Sequence, residues 1–325
     1  MKVKVLGTGS HVPEKILSNA ELEKLVDTED SWIVERTGIR TRHVVVPGEN
    51  TSDLAAKAAE RALEAAGVKA AEIDTLILAT STPDRVIPPA SVYVQKQLGC
   101  WDAAVSDLTA ACSGFTYALT QGRALVSSGQ SKRCLLVGAE TLTRVTNYKD
   151  RGTCVLFGDG AGAVVLGPSD GESDILYTKM GCDGRLEDLI TTPTFGTALP
   201  TTAESLEQGQ QFIRMKGREV YKFAVPKFVE IIREGLKATG LSAGDLKWLI
   251  PHQMNARMIE AVAGRLDFPM DRVLMNIENY GNTSAASIPL VLDEAVRAGK
   301  IRRGDLLLMS AMGAGITWGT VVLRW

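Results

Sequence analysis

The sequence predicts an α/β protein built from two related halves, residues 1–170 and 171–325, on three observations. Helix-like and strand-like segments alternate along the whole chain. The strand-like ones are short, uninterrupted apolar runs. Several of these elements recur in the same order after a break near residue 170.

The first clear helix signal is Thr51-Ser52-Asp53, which can cap a segment with an apolar stripe through Leu54, Ala58, Ala62 and Ala65 that stops at Gly67. Thr75-Leu76-Ile77-Leu78-Ala79-Thr80 follows without polar alternation, as expected of a strand covered on both faces. Cys134–Gly138, Ala163–Leu166, Leu306–Met309 and Thr320–Leu323 are runs of the same kind.

The repeat is read from matched segments. The turn-rich stretch 66–74 resembles 239–247, with a helix before and an apolar strand after each. A second helix ends in Gln97-Leu98-Gly99 in one half and in Arg265-Leu266-Asp267 in the other. Gly158–Gly162 leads into Ala163-Val164-Val165-Leu166 as Gly313-Ala314-Gly315 leads into Thr320-Val321-Val322-Leu323. A site between two such halves draws residues from both. The polar, turn-rich segment Glu187–Phe212 has no counterpart and reads as a loop over that site. Pro226, inside the helical stretch from Glu219 to Lys237, predicts a kink or a restart.

Composition narrows the function. The chain has 325 residues, 45% hydrophobic and 23% charged, enough for a large core. A formal net charge of −2 offers no global basic field, so nucleic acid is not an expected partner. No signal peptide is evident and no run nears the ~18 apolar residues of a membrane span, so a cytoplasmic protein without a membrane partner is expected. Five cysteines without a CxxC pair suggest neither a disulfide framework nor a thiolate metal site, and three histidines make a histidine metal site unexpected.

Three residues stand out chemically. Cys112 lies between strand-like residues and a helix running through Gly122, Leu125 and Val126. The positive end of that helix favours a thiolate with a lowered pKa, and small neighbours allow a tight turn and close approach of a substrate. A buried inert thiol is the other reading, and the one applied to Cys100, Cys134, Cys154 and Cys182. His252 follows a strand in Leu249-Ile250-Pro251-His252-Gln253, where such sheets place their crevices; a core histidine is the alternative. Asn282, in Tyr280-Gly281-Asn282-Thr283-Ser284, suits a tight loop capping a helix, or simply a turn. Gly158–Gly162 leads into a strand and so lacks the context of a nucleotide loop. Gly313-Ala314-Gly315 offers backbone N–H groups to an oxyanion.

Together these segments resemble the β-ketoacyl–acyl-carrier-protein synthase III family, the initiating condensing enzymes of type II fatty acid synthesis. The likeness covers Trp32-Ile33-Val34-Glu35-Arg36-Thr37-Gly38, the Cys112 segment, Arg151-Gly152-Thr153 with Phe157–Gly162, Pro251-His252-Gln253, Asn279–Thr283 and Thr317-Trp318-Gly319. It implies the thiolase fold, two βαβαβαββ halves in a five-layered αβαβα sandwich, normally as a homodimer.

The resemblance also implies a catalytic triad of Cys112, His252 and Asn282, with the backbone N–H groups of Cys112 and Ala314 as the oxyanion hole. Cys112 would take the acyl group of an acyl-CoA, and His252 with Asn282 would stabilise the enolate formed as malonyl–acyl-carrier protein loses carbon dioxide, without a cofactor or metal. By the same carry-over Trp32 and Arg151 would hold the adenine of CoA, Arg36 and Arg257 its phosphates, and Asn255 and Gly217 the pantetheine arm. Ile87 and Phe157 would line the acyl pocket, Ile87 by reaching across the dimer, and Lys222 with Arg257 would dock the acidic carrier protein.

Three departures from the family pattern bear on this. Ala314 replaces the usual middle glycine, Ile87 replaces a frequent Phe and leaves room for a longer starter, and the 187–212 segment is long. They keep open a condensing enzyme of a specialised polyketide or signal pathway. A non-catalytic thioester-binding protein is the remaining rival. A degradative thiolase would need a second cysteine near the C-terminus, and none follows Cys182.

Overall fold

A computed structural model describes all 325 residues. The first sheet is formed by β1 (Val3–His11), β2 (Thr75–Ala79), β3 (Ala104–Leu108), β4 (Cys134–Thr141) and β5 (Asp159–Pro168), in the order β1-β5-β4-β2-β3. The second sheet contains β6 (Asp174–Cys182), β7 (Trp248–Pro251), β8 (Leu306–Gly313) and β9 (Thr317–Arg324), in the order β7-β8-β9-β6. The two match strand for strand: a parallel pair, β2 with β4 and β7 with β8, continues into an antiparallel pair and an antiparallel edge. The counterpart of β3 has shrunk to a single parallel bridge between Leu249 and Val273.

The main helices are α1 (Asp30–Thr37), α2 (Thr51–Ala66), α3 (Ala90–Leu98), α4 (Gly114–Ser128), α5 (Gly217–Thr239), α6 (Ala256–Arg265) and α7 (Ser287–Arg297). α2 and α3 cover the outside of the first sheet, α5 packs outside the second with α6 against it, and α4 and α7 lie between the sheets. That makes five layers, αβαβα. The all-buried burial pattern of β4 follows from this covering, and removing that apolar surface from water is the main stabilising term. The central core joins Phe115, Leu119, Ile288 and Leu292 of the middle helices to Leu136, Val164, Met309 and Val321 of the two sheets.

Local structure matches and corrects the sequence reading. The N-cap of α2 is Asn50, one residue earlier than expected, and its backbone N–H donates to the Asp53 carboxylate at 2.9 Å. Its stripe includes buried Leu54, Ala58 and Ala62, but Ala65 is exposed. Gly67 ends it in the left-handed region, at φ 63°. α5 runs through Pro226 as one helix, so no restart occurs there. The 187–212 segment is more structured than a loop: Ile190–Thr191 pairs with Arg214–Met215, and Ala203–Glu207 is helical. No helix is long and apolar enough to cross a membrane.

Candidate active site

Cys112 sits in a 3-10 turn, Ala111–Ser113, that leads directly into α4. The tip of the β8–β9 hairpin closes on this turn. A Cβ added to Gly313 would lie 2.5 Å from the Cys112 nitrogen, so only glycine lets the hairpin come so near. Thr317 fastens it: its hydroxyl donates to the Ala110 carbonyl at 2.9 Å. Ala314 holds an ordinary φ, and the left-handed residue is Gly315 at 126°, so alanine at 314 costs the hairpin no backbone strain.

His252 follows β7. Its N–H donates to the Ser310 carbonyl at 2.8 Å, its ring is buried, and its Nδ1 lies 2.7 Å from the Ser287 hydroxyl. Asn282 is 7% exposed and stitched onto the first half: its N–H donates to the Leu156 carbonyl at 2.8 Å and its carbonyl accepts from Gly158 at 3.1 Å. Its side-chain Oδ1 accepts from the Ser284 N–H at 2.9 Å, which fixes the amide orientation, since only the oxygen accepts. No protein group takes the Asn282 Nδ2 or the His252 Nε2, and neither is among the buried unpartnered atoms.

Cys112, His252 and Asn282 line one cavity of about 430 Å³. Its walls also include Trp32, Arg36, Gly217, Asn255 and Arg257. Cys112 and Asn282 additionally line a second cavity of about 490 Å³, with Phe157, Thr191, Ala314 and Thr317. The sulfur therefore stands where two chambers meet.

The thiol does not behave as the helix position suggested. Burial pushes Cys112 up to about 11 and the negative charge of Glu140 adds to the rise, while the Ser284 hydroxyl and the backbone N–H of Cys112 oppose it. Loss of hydration outweighs the helix start. Burial alone lowers His252 to about 3, so its imidazole is neutral throughout the physiological range.

The remaining expected site residues divide. Arg151 and Arg36 carry guanidinium carbons 4.4 and 5.0 Å from the Trp32 ring centre, so a flat base would have to enter by displacing one of them. Arg151 itself is held by the Asp27 carbonyl at 3.0 Å and lies outside the cavity wall. Asn255 caps α6 and donates to the Arg36 carbonyl at 2.9 Å. Arg257 pairs with Glu35 at 3.0 Å on the surface. Lys222 is exposed on α5 and lines neither cavity. Ile87 is 84% exposed and likewise lines neither. Of the 187–212 segment, Glu187, Ile190, Thr191 and Thr192 border the second cavity; the helix 203–207 does not.

Three contributors were missed by sequence reasoning: Ser284, Ser287 and Glu140. Glu140 left a signal, as the one charge in the apolar run of β4. The two serines carried none beyond the run of hydroxyls after Asn282.

Comparison with known proteins adds the rest. Residues 106–184 match the family model described as 3-Oxoacyl-[acyl-carrier-protein (ACP)] synthase III, and residues 236–325 the model of its C-terminal part. A beta-ketoacyl-[acyl-carrier-protein] synthase III from Roseiflexus sp. (strain RS-1) is 49% identical over 98% of this chain and 97% of its own. The one from Thioalkalivibrio sulfidiphilus is 50% identical over 99% of this chain and 98% of its own. The crystal structure of the Aquifex aeolicus synthase III superposes with a TM-score of 0.93 at 45% identity, covering 99% of this chain and 100% of that one. The priming beta-ketosynthase of the R1128 polyketide pathway gives 0.92 at 38%, covering 99% and 96%.

Proposed function

From the premise that this chain belongs to the 3-oxoacyl-[acyl-carrier-protein] synthase III family of thiolase-fold acyltransferases, we propose that it initiates fatty acid synthesis by condensing an acyl-CoA with malonyl–acyl-carrier protein. The observation that carries the reading is the cavity wall shared by Cys112, His252 and Asn282, with the Nε2 and Nδ2 of the last two left without protein partners.

In this mechanism the Cys112 sulfur attacks the acyl-CoA carbonyl, the backbone N–H groups of Cys112 and Ala314 hold the oxyanion, and CoA leaves. The acyl chain occupies the chamber walled by Phe157 and Thr191. Malonyl–carrier protein then extends its pantetheine arm along the corridor past Gly217 and Asn255. His252 and Asn282 each donate a hydrogen bond to the thioester oxygen, worth about 3 kcal/mol apiece as charge develops on it. Carbon dioxide departs, the resulting carbanion attacks the acyl-cysteine, and β-ketoacyl–carrier protein is released as the Cys112 sulfur is freed. The reaction so drawn uses no cofactor and no metal.

Trp32, Arg36, Arg151 and Arg257 are proposed as the CoA contacts, Arg257 exchanging Glu35 for phosphate. Lys222 with Arg257 is proposed as a basic docking point for an acidic carrier protein. Exposed Ile87 fits a role in a partner subunit's acyl pocket, in a cytoplasmic homodimer of duplicated halves, 1–170 and 171–325. A specialised pathway is not favoured, since the curated relatives at 49 and 50% identity carry the synthase III name over nearly their full length.

The test incubates the protein with a panel of acyl-CoA starters and malonyl–carrier protein. Mass spectrometry should find the acyl group on Cys112 and β-ketoacyl–carrier protein as product. A protein that forms neither with any starter lacks the activity.

A further inference from the structure

Behind Cys112 lies a carboxylate that the mechanism above does not use. Glu140 is fully buried near the end of β4 and pairs with no cation. Its Oε2 accepts from the Thr82 hydroxyl at 2.6 Å, the Thr80 hydroxyl at 3.2 Å and the Ser81 N–H at 3.1 Å. Its Oε1 accepts from the Ser284 hydroxyl at 3.1 Å. Ser284 and Cys112 stand on the wall of the same second cavity, and the Ser284 hydroxyl acts on the thiol, favouring its ionised form. The Ser284 hydroxyl thus stands between the sulfur and the carboxylate, hydrogen-bonded to the carboxylate and sharing a cavity wall with the sulfur.

This arrangement is held in place at some cost. Ser284 has φ 48°, a left-handed conformation strained for serine and found where a site over-determines the backbone. The turn that carries it presses on β4 so closely that a Cβ on Gly138 would meet the Ala285 carbonyl oxygen at 2.3 Å. A buried carboxylate with no counter-charge is destabilising, so its retention asks for a role.

We propose that Ser284 and Glu140 form a proton relay through which the Cys112 thiol hydrogen leaves during acylation. The S–H proton passes to the Ser284 oxygen as the Ser284 proton passes to Glu140 Oε1. The sulfur forms its bond to the acyl carbon, the carbon–sulfur bond to CoA breaks, and the CoA sulfur recovers the proton by the reverse route, returning Glu140 to carboxylate. His252 acts later, on the malonyl thioester, and stays neutral. The inference rests on the acyl-transfer reading above.

Burial raises Glu140 to about 7, against the donors that surround it, which places it midway between acid and base at neutral pH. The group that faces it from other elements and titrates is Cys112. Asp159 on β5 is taken by the N–H groups of Val45 and Thr143, Asp293 on α7 by Thr8, Ser10 and Arg297, and Tyr117 on α4 by the Gly181 carbonyl. On α2, Arg61 donates to the Ser10 carbonyl, and Lys57 acts on His11.

The test follows alkylation of Cys112 by iodoacetamide across the neutral and alkaline range, read at the Cys112 peptide by mass spectrometry. Wild type should show a rate that rises through about pH 7 and then levels. Glu140→Gln, which keeps the shape and an acceptor, should lose that step and react roughly 100-fold more slowly in mildly alkaline buffer. A faster Glu140→Gln would overturn the relay, because removing a merely repulsive charge lowers the thiol pKa. A wild-type profile with no step near 7 would overturn it too. Ser284→Ala, with Glu140 intact, must lose the same step, and it decides the matter if Glu140→Gln does not fold. Trapping acyl-Cys112 from acetyl-CoA on the same wild-type sample separates the two claims: no acyl-enzyme sinks the acyl-transfer reading, while the alkylation profile still judges the relay.

Discussion

The Nδ1 of His252 and the hydroxyl of Ser287 lie 2.7 Å apart in the interior, and the proposed mechanism requires the hydroxyl to be the donor of this pair. A neutral ring that donates from Nε2 needs a donor at Nδ1, and the Ser287 hydroxyl, which also accepts the Gln253 N–H at 3.4 Å, can fill that role. The neutral imidazole then bears its hydrogen on Nε2, the atom left free for a thioester oxygen. Ser287→Ala should lower the decarboxylation of malonyl thioester about tenfold while sparing acylation of Cys112, as rapid-quench measurement of each half-reaction would reveal. Equal losses in both would refute the tautomer assignment.

A second expectation concerns pH and stability. His252 falls from 6.5 unfolded to about 3 folded, so the native state binds fewer protons. The stability this represents is complete above pH 6.5 and is lost as pH falls toward 3, by up to about 5 kcal/mol. Melting temperatures of wild type and His252→Asn should therefore converge as the solution is acidified. Parallel curves would mean that the ring is not buried neutral.

The hairpin contact gives a third. Gly313→Ala places a methyl 2.5 Å from the Cys112 nitrogen, against backbone that cannot yield locally. A loss of about 1–3 kcal/mol of stability is expected, with condensation impaired well beyond what that loss explains, as denaturant titration and steady-state rates would reveal.

At the corridor mouth, Trp32→Ala should raise KM for acyl-CoA with little change in kcat, since the proposed stacking is equal in ground and transition states. A loss of about 1 kcal/mol in binding corresponds to roughly fivefold in KM. A fall in kcat alone would place Trp32 outside the CoA contact.

Much of this was legible along the chain because it depends on local pattern. Unalternating apolar runs marked β2, β4, β5, β8 and β9, and glycine marked the end of α2. Cys112, His252 and Asn282 stood out because each lies in a short motif at an element boundary, and the fold brings all three to one cavity wall. What escaped depends on contacts across the sheets. The Cys112 thiol looked acidic from its helix, but the surrounding layers and Glu140 reverse the sign. Ser284 and Ser287 matter only because their turn is wedged beneath β4 and β7, a fact no spacing encodes. The direct stacking of both arginines on Trp32 is likewise set by the fold around α1.

The sulfur at the junction of two chambers has a kinetic consequence. On the proposed mechanism both thioesters react at this one sulfur in turn, so each would compete for the form of the protein meant for the other. Initial rates should give parallel double-reciprocal lines while both thioesters are dilute, and excess acyl-CoA should steepen them by occupying the acylated protein. Flux into new chains would then respond to the ratio of the two thioesters in the cell, more than to the abundance of either.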